Sequence, residues 1–214
     1  MEDWTDREIY SEEVIEFVRL TAAYCGWLEN SLTQKRKPWF HKLRILMAGL
    51  YQQALKLPAV EAIYQEGNRK FVKEEEYNRI RAMVRKKAGQ WDAYPEVFDP
   101  QEPIEELDIT ASVSEDCADI YQELKDFITL YHIGNHEMMN DALWEVRENF
   151  DRLWGQKLLN VLRVIHRLLT FADLSQEEDE EEEENNDQPP DTENWFITKR
   201  QKEFRKGNDE AIKR

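Results

Sequence analysis

Along most of the chain, apolar residues recur every three or four positions, and this spacing predicts helices that each bury one face. The clearest run lies between Pro38 and Pro58 and predicts a helix whose buried positions are Phe40, Leu43, Met47, Leu50, Ala54 and Leu57. An earlier run predicts a first helix that begins at Thr5 or Ser11, each of which can act as an N-cap. Its buried positions are Val14, Phe17, Val18, Thr21, Tyr24, Cys25, Leu28 and Leu32.

The third and fourth helices are predicted from the same periodicity. The third should run from about Lys73 to Tyr94, with Tyr77, Ile80, Val84, Trp91 and Tyr94 on its buried face. Ser112 and Gly134 should begin and end the fourth, because Ser is a favourable N-cap and Gly a favourable C-terminal residue. Its predicted inner face consists of Cys117, Ile120, Tyr121, Leu124, Ile128 and Tyr131. Four acidic side chains are predicted to face outward: Asp116, Asp119, Glu123 and Asp126.

A long fifth helix is predicted from the cap Asn135 to about Phe171, and Gly155 interrupts it. We expect Gly155 to mark a bend or a close helix contact. The buried positions of this helix are Met139, Leu143, Val146, Phe150, Leu153, Val161, Val164, Ile165 and Leu168. About five amphipathic helices with short connections predict an all-α fold, a mostly antiparallel helical bundle within residues 1–172.

The charge pattern changes sharply after this bundle. Residues 173–194 contain 12 acidic and no basic side chains, and eight of the acidic ones are consecutive. Such a segment cannot bury enough apolar surface to offset the entropy of ordering it, so we predict an acidic, disordered linker. Residues 195–214 return to apolar side chains among Lys and Arg, which indicates a basic amphipathic C-terminal segment.

The net charge of the chain limits the classes of molecule that it is expected to bind. The 214 residues have a net charge of −16, and residues 1–172 have 30 acidic and 22 basic side chains. A negative domain repels the phosphate backbone, so nucleic-acid binding by the bundle is disfavoured. We therefore expect another protein as the partner, with a basic one among the possibilities. A nucleic-acid role through the basic C-terminus or through acidic mimicry is the weakest alternative.

Nothing in the sequence directs the chain to a membrane or to an oxidising compartment. Cys25 and Cys117 are too few for a disulfide framework and should be reduced, buried thiols. The first residues lack the basic and apolar regions of a signal peptide, and no apolar run is long enough to cross a bilayer. We predict a cytoplasmic protein without a membrane partner.

No pattern of residues indicates a reaction. The sequence has no Glu-x-x-His pair, no Gly-x-Ser-x-Gly turn and no glycine-rich phosphate loop, and His132 and His136 straddle Gly134. We therefore expect neither a metal nor a cofactor. Catalysis is disfavoured, although the sequence leaves it open.

The most interesting candidate chemistry surrounds Arg147, which lies near aromatic residues on the fifth helix. In one interpretation its guanidinium pairs with a fixed carboxylate, such as Asp151 or Asp119, in a structural cluster. In the other it binds an anionic ligand in a small pocket. The residues of that pocket would be Arg147, Tyr121, Asp119, Trp144, Trp154 and His166, together with Glu96 and Asp99 from a loop.

Several short motifs resemble a known family. They are Ala23-Tyr24-Cys25, Leu50-Tyr51 with Ala54-Leu55-Lys56-Leu57-Pro58, Tyr94-Pro95-Glu96-Val97-Phe98-Asp99-Pro100, Ala118-Asp119-Ile120-Tyr121, Trp144-Glu145-x-Arg147, Trp154-Gly155 and Leu162-Arg163-Val164-Ile165-His166. Together they are similar to a bacterial family of uncharacterised helical proteins, domain-of-unknown-function family 5063, over about residues 10–170. The chain departs from the family pattern at Leu153, where the pattern has His before Trp-Gly. The resemblance implies an α-helical domain and brings no known activity.

Two main functional hypotheses remain. The first is a non-catalytic interaction or adaptor module, supported by the missing catalytic patterns and by the two charged C-terminal segments. The second is an anion-binding protein or an enzyme with its pocket around Arg147. The position of Arg147 relative to Asp119 and His166 should distinguish them, because a ligand site requires these groups to converge.

Overall fold

The computed structural model describes residues 8–64, 67–95 and 110–174. Its α-helices are α1 (Glu12–Asn30), α2 (Arg36–Ala54), α3 (Glu74–Ala88), α4 (Val113–Ile133), α5 (His136–Asn149) and α6 (Gly155–Phe171). A π-helical turn, Phe150–Trp154, joins α5 directly to α6, so these pieces together form the predicted fifth helix. The predicted all-α fold is confirmed. The predicted linker beyond residue 174, the segment 195–214 and the loop residues Glu96 and Asp99 lie outside the described residues.

Three predicted N-caps are confirmed. The side chains of Ser11, Ser112 and Asn135 accept hydrogen bonds from the backbone N–H of Val14, Glu115 and Met138. These bonds satisfy donors that the first turn of a helix leaves without partners.

The predicted end of the third helix was wrong. Helix α3 ends at Ala88, because Gly89 adopts a positive φ of 57° that a helix cannot continue through. A short 3-10 turn follows, and Tyr94 lies in strand β1 (Ala93–Pro95). This strand pairs antiparallel with β2 (Thr110–Ser112), with Tyr94 opposite Ala111. The pairing joins segments that are far apart in the sequence, so helical periodicity could not predict it.

Helix α4 occupies the centre of the bundle and packs against α1, α3, α5 and α6. The prediction that its acidic side chains face outward is therefore wrong for two of them. Asp116 and Asp126 are only 5% and 3% exposed, because neighbouring elements cover the face on which they lie. The helical spacing placed these residues on one face correctly, but it could not show that neighbouring elements cover part of that face.

Two glycines are required by close packing. A Cβ atom at Gly155 would lie 2.4 Å from the carbonyl oxygen of Phe150, so the close approach is to the π-helical turn that precedes it. A Cβ atom at Gly134 would lie 2.6 Å from the carbonyl oxygen of Leu130. Gly134 ends α4 as predicted, although its φ of −78° is one that any residue can adopt.

The core follows the predicted stripes with a few exceptions. Leu50 and Leu124 are fully buried, whereas Leu32, assigned to the first stripe, is 57% exposed. Leu174, two residues beyond the predicted end of the bundle, is 2% exposed, and the compact unit of the chain extends to this residue. Among the described helices, none is both long enough and apolar enough to cross a bilayer.

Replacing Leu50 or Leu124 by Ala should lower the free energy of unfolding by about 2–5 kcal/mol, because each change removes buried apolar surface and leaves a cavity. Leu32→Ala is the matched control and should change it by less than about 0.5 kcal/mol, since that side chain is exposed. Chemical denaturation of the full chain measures all three values. Equal losses at the three positions would contradict this assignment of the core.

Candidate functional site

The described residues hold their densest polar network along one side of α4. Asp116, Asp119, Glu123 and Asp126 follow one another at spacings of three, four and three, so they form a line along the helix. We call these four residues the carboxylate row. Elements from other parts of the chain cover the row, and each carboxylate has a specific partner among them.

At its N-terminal end the row surrounds a lysine. The ammonium group of Lys157, on α6, lies 3.0 Å from Asp116 Oδ1 and 2.7 Å from Asp119 Oδ2. The hydroxyl of Tyr77 donates to Asp119 at 2.7 Å, and the hydroxyl of Tyr94 donates to Asp116. This cluster therefore joins α3, α4, α6 and β1.

Burial controls the electrostatics of this cluster. It raises the pKa of Asp116, although the Tyr94 hydroxyl and the Lys157 ammonium oppose the shift. Burial also disfavours the Lys157 ammonium, but the two aspartates outweigh that effect and raise its pKa. Asp116 therefore holds its proton to a higher pH in the folded chain than in the unfolded chain. On its own, it lowers the free energy of unfolding as the pH rises through that interval.

At its C-terminal end the row holds the segment that precedes α3. Asp126 Oδ1 accepts the backbone N–H groups of Phe71 and Val72 at 2.7 and 2.9 Å. Glu123 accepts from the Asn149 side-chain amide at 2.7 Å, and the ammonium group of Lys70 lies 3.9 Å from it. Because residues 67–73 have no regular structure, these contacts determine their path across the bundle.

A second polar cluster lies where α1, α3 and α4 meet. The Tyr121 hydroxyl lies 2.8 Å from Glu29 Oε1 and 2.5 Å from Glu76 Oε1. Lys125 donates to the same oxygen of Glu29 at 2.7 Å. Burial opposes ionisation of Glu29, but the bonds from Lys125 and Tyr121 outweigh it and lower its pKa. Burial, followed by the two carboxylates, raises the pKa of Tyr121.

The two cysteines and the carboxylates of the row are held by the surrounding structure. Cys25 and Cys117 are free thiols, only 1% and 0% exposed, and burial raises the pKa of both. Among the described residues, no three His, Cys, Asp or Glu side chains gather closely enough to hold a metal ion. The carboxylates lie instead against lysine, tyrosine and backbone N–H partners, an arrangement typical of structural networks.

Two predicted site residues, Tyr121 and Trp154, are deep in the bundle, whereas Asp119 is half-buried, and the three belong to separate clusters. Asp119 is bound by Tyr77 and Lys157, as described above, and Tyr121 lies against Glu29 and Glu76. Trp154 is fully buried, and its indole N–H donates to the carbonyl of Val146 at 2.9 Å. Its ring centroid lies 4.7 Å from that of Phe150 and 6.2 Å from that of Phe17. Trp154 therefore packs in the core and does not line a pocket.

The other predicted site residues lie near the surface. Arg147 and Trp144 are half-buried on α5, and His166 is exposed on α6. Within the described ranges, Arg147 has no ion pair: Asp119 pairs with Lys157, and Asp151 is exposed. No hydrogen bond, ion pair or ring contact joins any two of the six predicted residues that the structure describes.

Sequence reasoning missed the residues that complete the network. Tyr77 and Tyr94 were assigned to an apolar stripe, although a buried tyrosine needs a partner for its hydroxyl. Lys157 lies beside the buried Leu158 on an otherwise apolar face of α6, so its position was a usable signal that a carboxylate partner lies nearby.

The arrangement can be compared with known proteins. A family model described as "Domain of unknown function (DUF5063)" matches residues 8–170. The chain belongs to this family. The predicted resemblance over about residues 10–170 is thereby confirmed, and the matched range contains the whole carboxylate row.

One solved structure supports the same relationship. Protein BF1032 from Bacteroides fragilis, a structural-genomics target, is similar with a TM-score of 0.68 and 35% sequence identity. The similarity covers 78% of this DUF5063 chain and 98% of that protein. The comparison with curated proteins gives no match.

Replacing Lys157 by Met should lower the free energy of unfolding by about 2–4 kcal/mol, because Asp116 would then lie buried without its cation. The expected loss of stability is smaller than for a fully buried ion pair, because the Lys157 side chain is 34% exposed. Arg152→Met is the matched control, since Arg152 is 74% exposed in its pair with Glu148, and it should cost less than about 0.5 kcal/mol. Denaturant unfolding compares the two variants.

Adding Asp116→Asn to the Lys157→Met variant should recover part of the lost stability, because it removes the uncompensated charge. A single variant as stable as the parent would contradict a structural role for this lysine. So would a double variant that is less stable than Lys157→Met alone.

Proposed function

We propose that this DUF5063 protein is a non-catalytic, cytoplasmic interaction module that binds another protein through the outer surface of α1 and α2. One observation carries the proposal: Ile45 is 64% exposed within an apolar surface that spans both helices. The polar network around α4 supports it indirectly, because its acidic side chains already have partners within the chain.

The two helices run antiparallel and present small side chains to solvent. The Gln53 side chain near the end of α2 donates to the backbone of Glu13 near the start of α1, and the rings of Trp27 and Trp39 lie 5.3 Å apart at the opposite ends. A Cβ atom at Gly49 would lie 3.7 Å from the side chain of Leu20, so the helices approach closely between these points.

The outer surface here consists of Leu20, Ala23 and Trp27 on α1 and of Ile45, Ala48 and Gly49 on α2; we call it the α1–α2 face. Its residues recur every three or four positions, so each helix contributes one continuous strip. Small residues at the centre allow another helix to lie close to the surface, and the larger apolar side chains can pack beside it. The partner that fits is an amphipathic helix with one apolar stripe.

Charged residues at the two ends of the α1–α2 face indicate which charges a partner helix should carry. Glu12 and Glu13 lie at the start of α1, whereas Lys37 and Lys42 lie at the start of α2, which is the opposite end of the antiparallel pair. A partner helix should therefore have basic residues toward the first end and acidic residues toward the second.

Ile45→Glu should remove partner binding and change the free energy of unfolding by less than about 0.5 kcal/mol, because the side chain is largely exposed. A photo-crosslinking residue at Ala48 of the full chain in cells should give a discrete protein adduct, and Ile45→Glu should abolish it. The same crosslinker at the exposed Lys86 of α3 is the control. No adduct specific to position 48, or an adduct unaffected by Ile45→Glu, would contradict the proposal, whereas an adduct of doubled mass would identify a second copy as the partner.

The surroundings of Arg147 favour a second function, the binding of an anion. Arg147 is a half-buried residue that forms no ion pair in the described part of the chain, so its guanidinium is suited to an exchangeable anion such as a phosphate or carboxylate group. The structural alternative, a fixed pair with Asp151 or Asp119, does not occur.

If Arg147 binds an anion, inorganic phosphate at 100 times its dissociation constant should raise the free energy of unfolding by about 2.7 kcal/mol. Arg147→Met should abolish this stabilisation and cost less than about 1 kcal/mol without phosphate, since no ion pair is lost. Thermal unfolding across a phosphate series measures both effects, with Arg85→Met on the exposed face of α3 as the control. Equal phosphate responses in the parent and the Arg147 variant would exclude this function.

A further inference from the structure

The carboxyl group of Asp126 is only half satisfied. Its Oδ1 atom accepts two backbone N–H groups from residues 71 and 72. Its Oδ2 atom is also buried and has no hydrogen-bond partner in the described part of the chain, although the residue is only 3% exposed. Carboxylate oxygens in such positions nearly always have a partner, so this atom points to a ligand.

A small cavity lies beside this carboxyl group. Its polar wall consists of Lys70, Glu123, Asp126 and Glu145, and apolar side chains of α4 and α5 complete it. Its volume is about 10 Å³, which is the room that the centre of one water-sized molecule needs. The size excludes any organic ligand, and three carboxyl groups in the wall disfavour an anion.

The partners around the cavity match the hydrogen-bonding capacity of water. Lys70 Nζ lies 3.0 Å from Glu145 Oε1, so an ammonium donor and carboxylate acceptors lie on the same wall. A water molecule can donate two hydrogen bonds and accept two, and buried waters typically make about three. A metal ion fits less well, because the described residues contain no cluster of three ligands suitable for one.

We propose that this cavity binds one ordered water molecule, which donates a hydrogen bond to Asp126 Oδ2. Through this water, the carboxyl group that holds the backbone of residues 71 and 72 is also connected to the Lys70 and Glu145 side chains on the polar wall of the cavity. The water thereby completes the attachment of residues 67–73 to α4 and α5. Neither the interaction surface on α1 and α2 nor the anion hypothesis at Arg147 depends on this site.

The direct test is a high-resolution crystal structure of the full chain. We expect density for one water within about 2.5–3.2 Å of Asp126 Oδ2. The absence of a density peak at this position would overturn the inference. A spherical feature with five or six oxygen neighbours, or a melting temperature that changes when Na⁺ is replaced by K⁺ at constant ionic strength, would identify a bound cation instead and would equally overturn it.

A matched pair of variants provides a second test, independent of the crystal. Ala142 lines the cavity, and its replacement by Thr or Val adds side chains of nearly equal volume. Each should displace the water, but only the threonine hydroxyl can donate to Asp126 in its place. We expect Ala142→Thr to melt at least about 2 °C above Ala142→Val. Equal melting temperatures, or a more stable valine variant, would contradict a role for this hydrogen bond.

Discussion

The carboxylate row on α4 is the constraint on which the packing of the bundle depends. A carboxyl group removed from water is strongly destabilising unless it gains a cation or hydrogen-bond donors. Lys157 supplies the cation at one end of the row, and the backbone N–H groups of Phe71 and Val72 supply donors at the other. Each partner comes from a different covering element, so α6 and the segment before α3 must take particular positions on α4.

This constraint also holds the acidic and basic groups around α4 in fixed contacts. Carboxylates, lysines and tyrosines are abundant around α4, but they contact one another at 2.5–3.0 Å and are held by several elements at once. An acid or base in a reaction needs access to a substrate, whereas Asp116 and Tyr121 are almost completely covered. The functional proposals therefore concern surfaces: the α1–α2 face for a protein partner and Arg147 for an anion.

The π-helical turn illustrates how a local feature serves the tertiary structure. It allows α5 to continue into α6 while Trp154 inserts into the core and donates to the carbonyl of Val146. Gly155 is required there because the carbonyl and the ring of Phe150 occupy the space that a Cβ atom would need. π-Helical turns are rare and often occur at functional sites. Here the turn contains Leu153, which was predicted to be buried but is 51% exposed.

The sequence by itself determined the local structure of this protein. Helical periodicity and capping residues predicted the helices, and Leu50 and Leu124 proved to be core residues because the centre of a long apolar stripe has few alternatives to burial. The motifs were also sufficient to predict the family. All of these signals depend on residues within a few turns of one another.

The tertiary structure alone decided which polar residues of α4 are buried and what they bind. Periodicity assigns residues to a face of a helix, but it contains no information on how many neighbours cover that helix. Lys157 is separated from Asp116 by 41 residues, and Asp126 from Phe71 by 55. Arg147 illustrates the same limit. Of the two carboxylates expected to pair with it, Asp119 binds Lys157 and Asp151 is exposed. Contacts over such separations depend on how complete helices pack, and one chain's local pattern does not specify that packing.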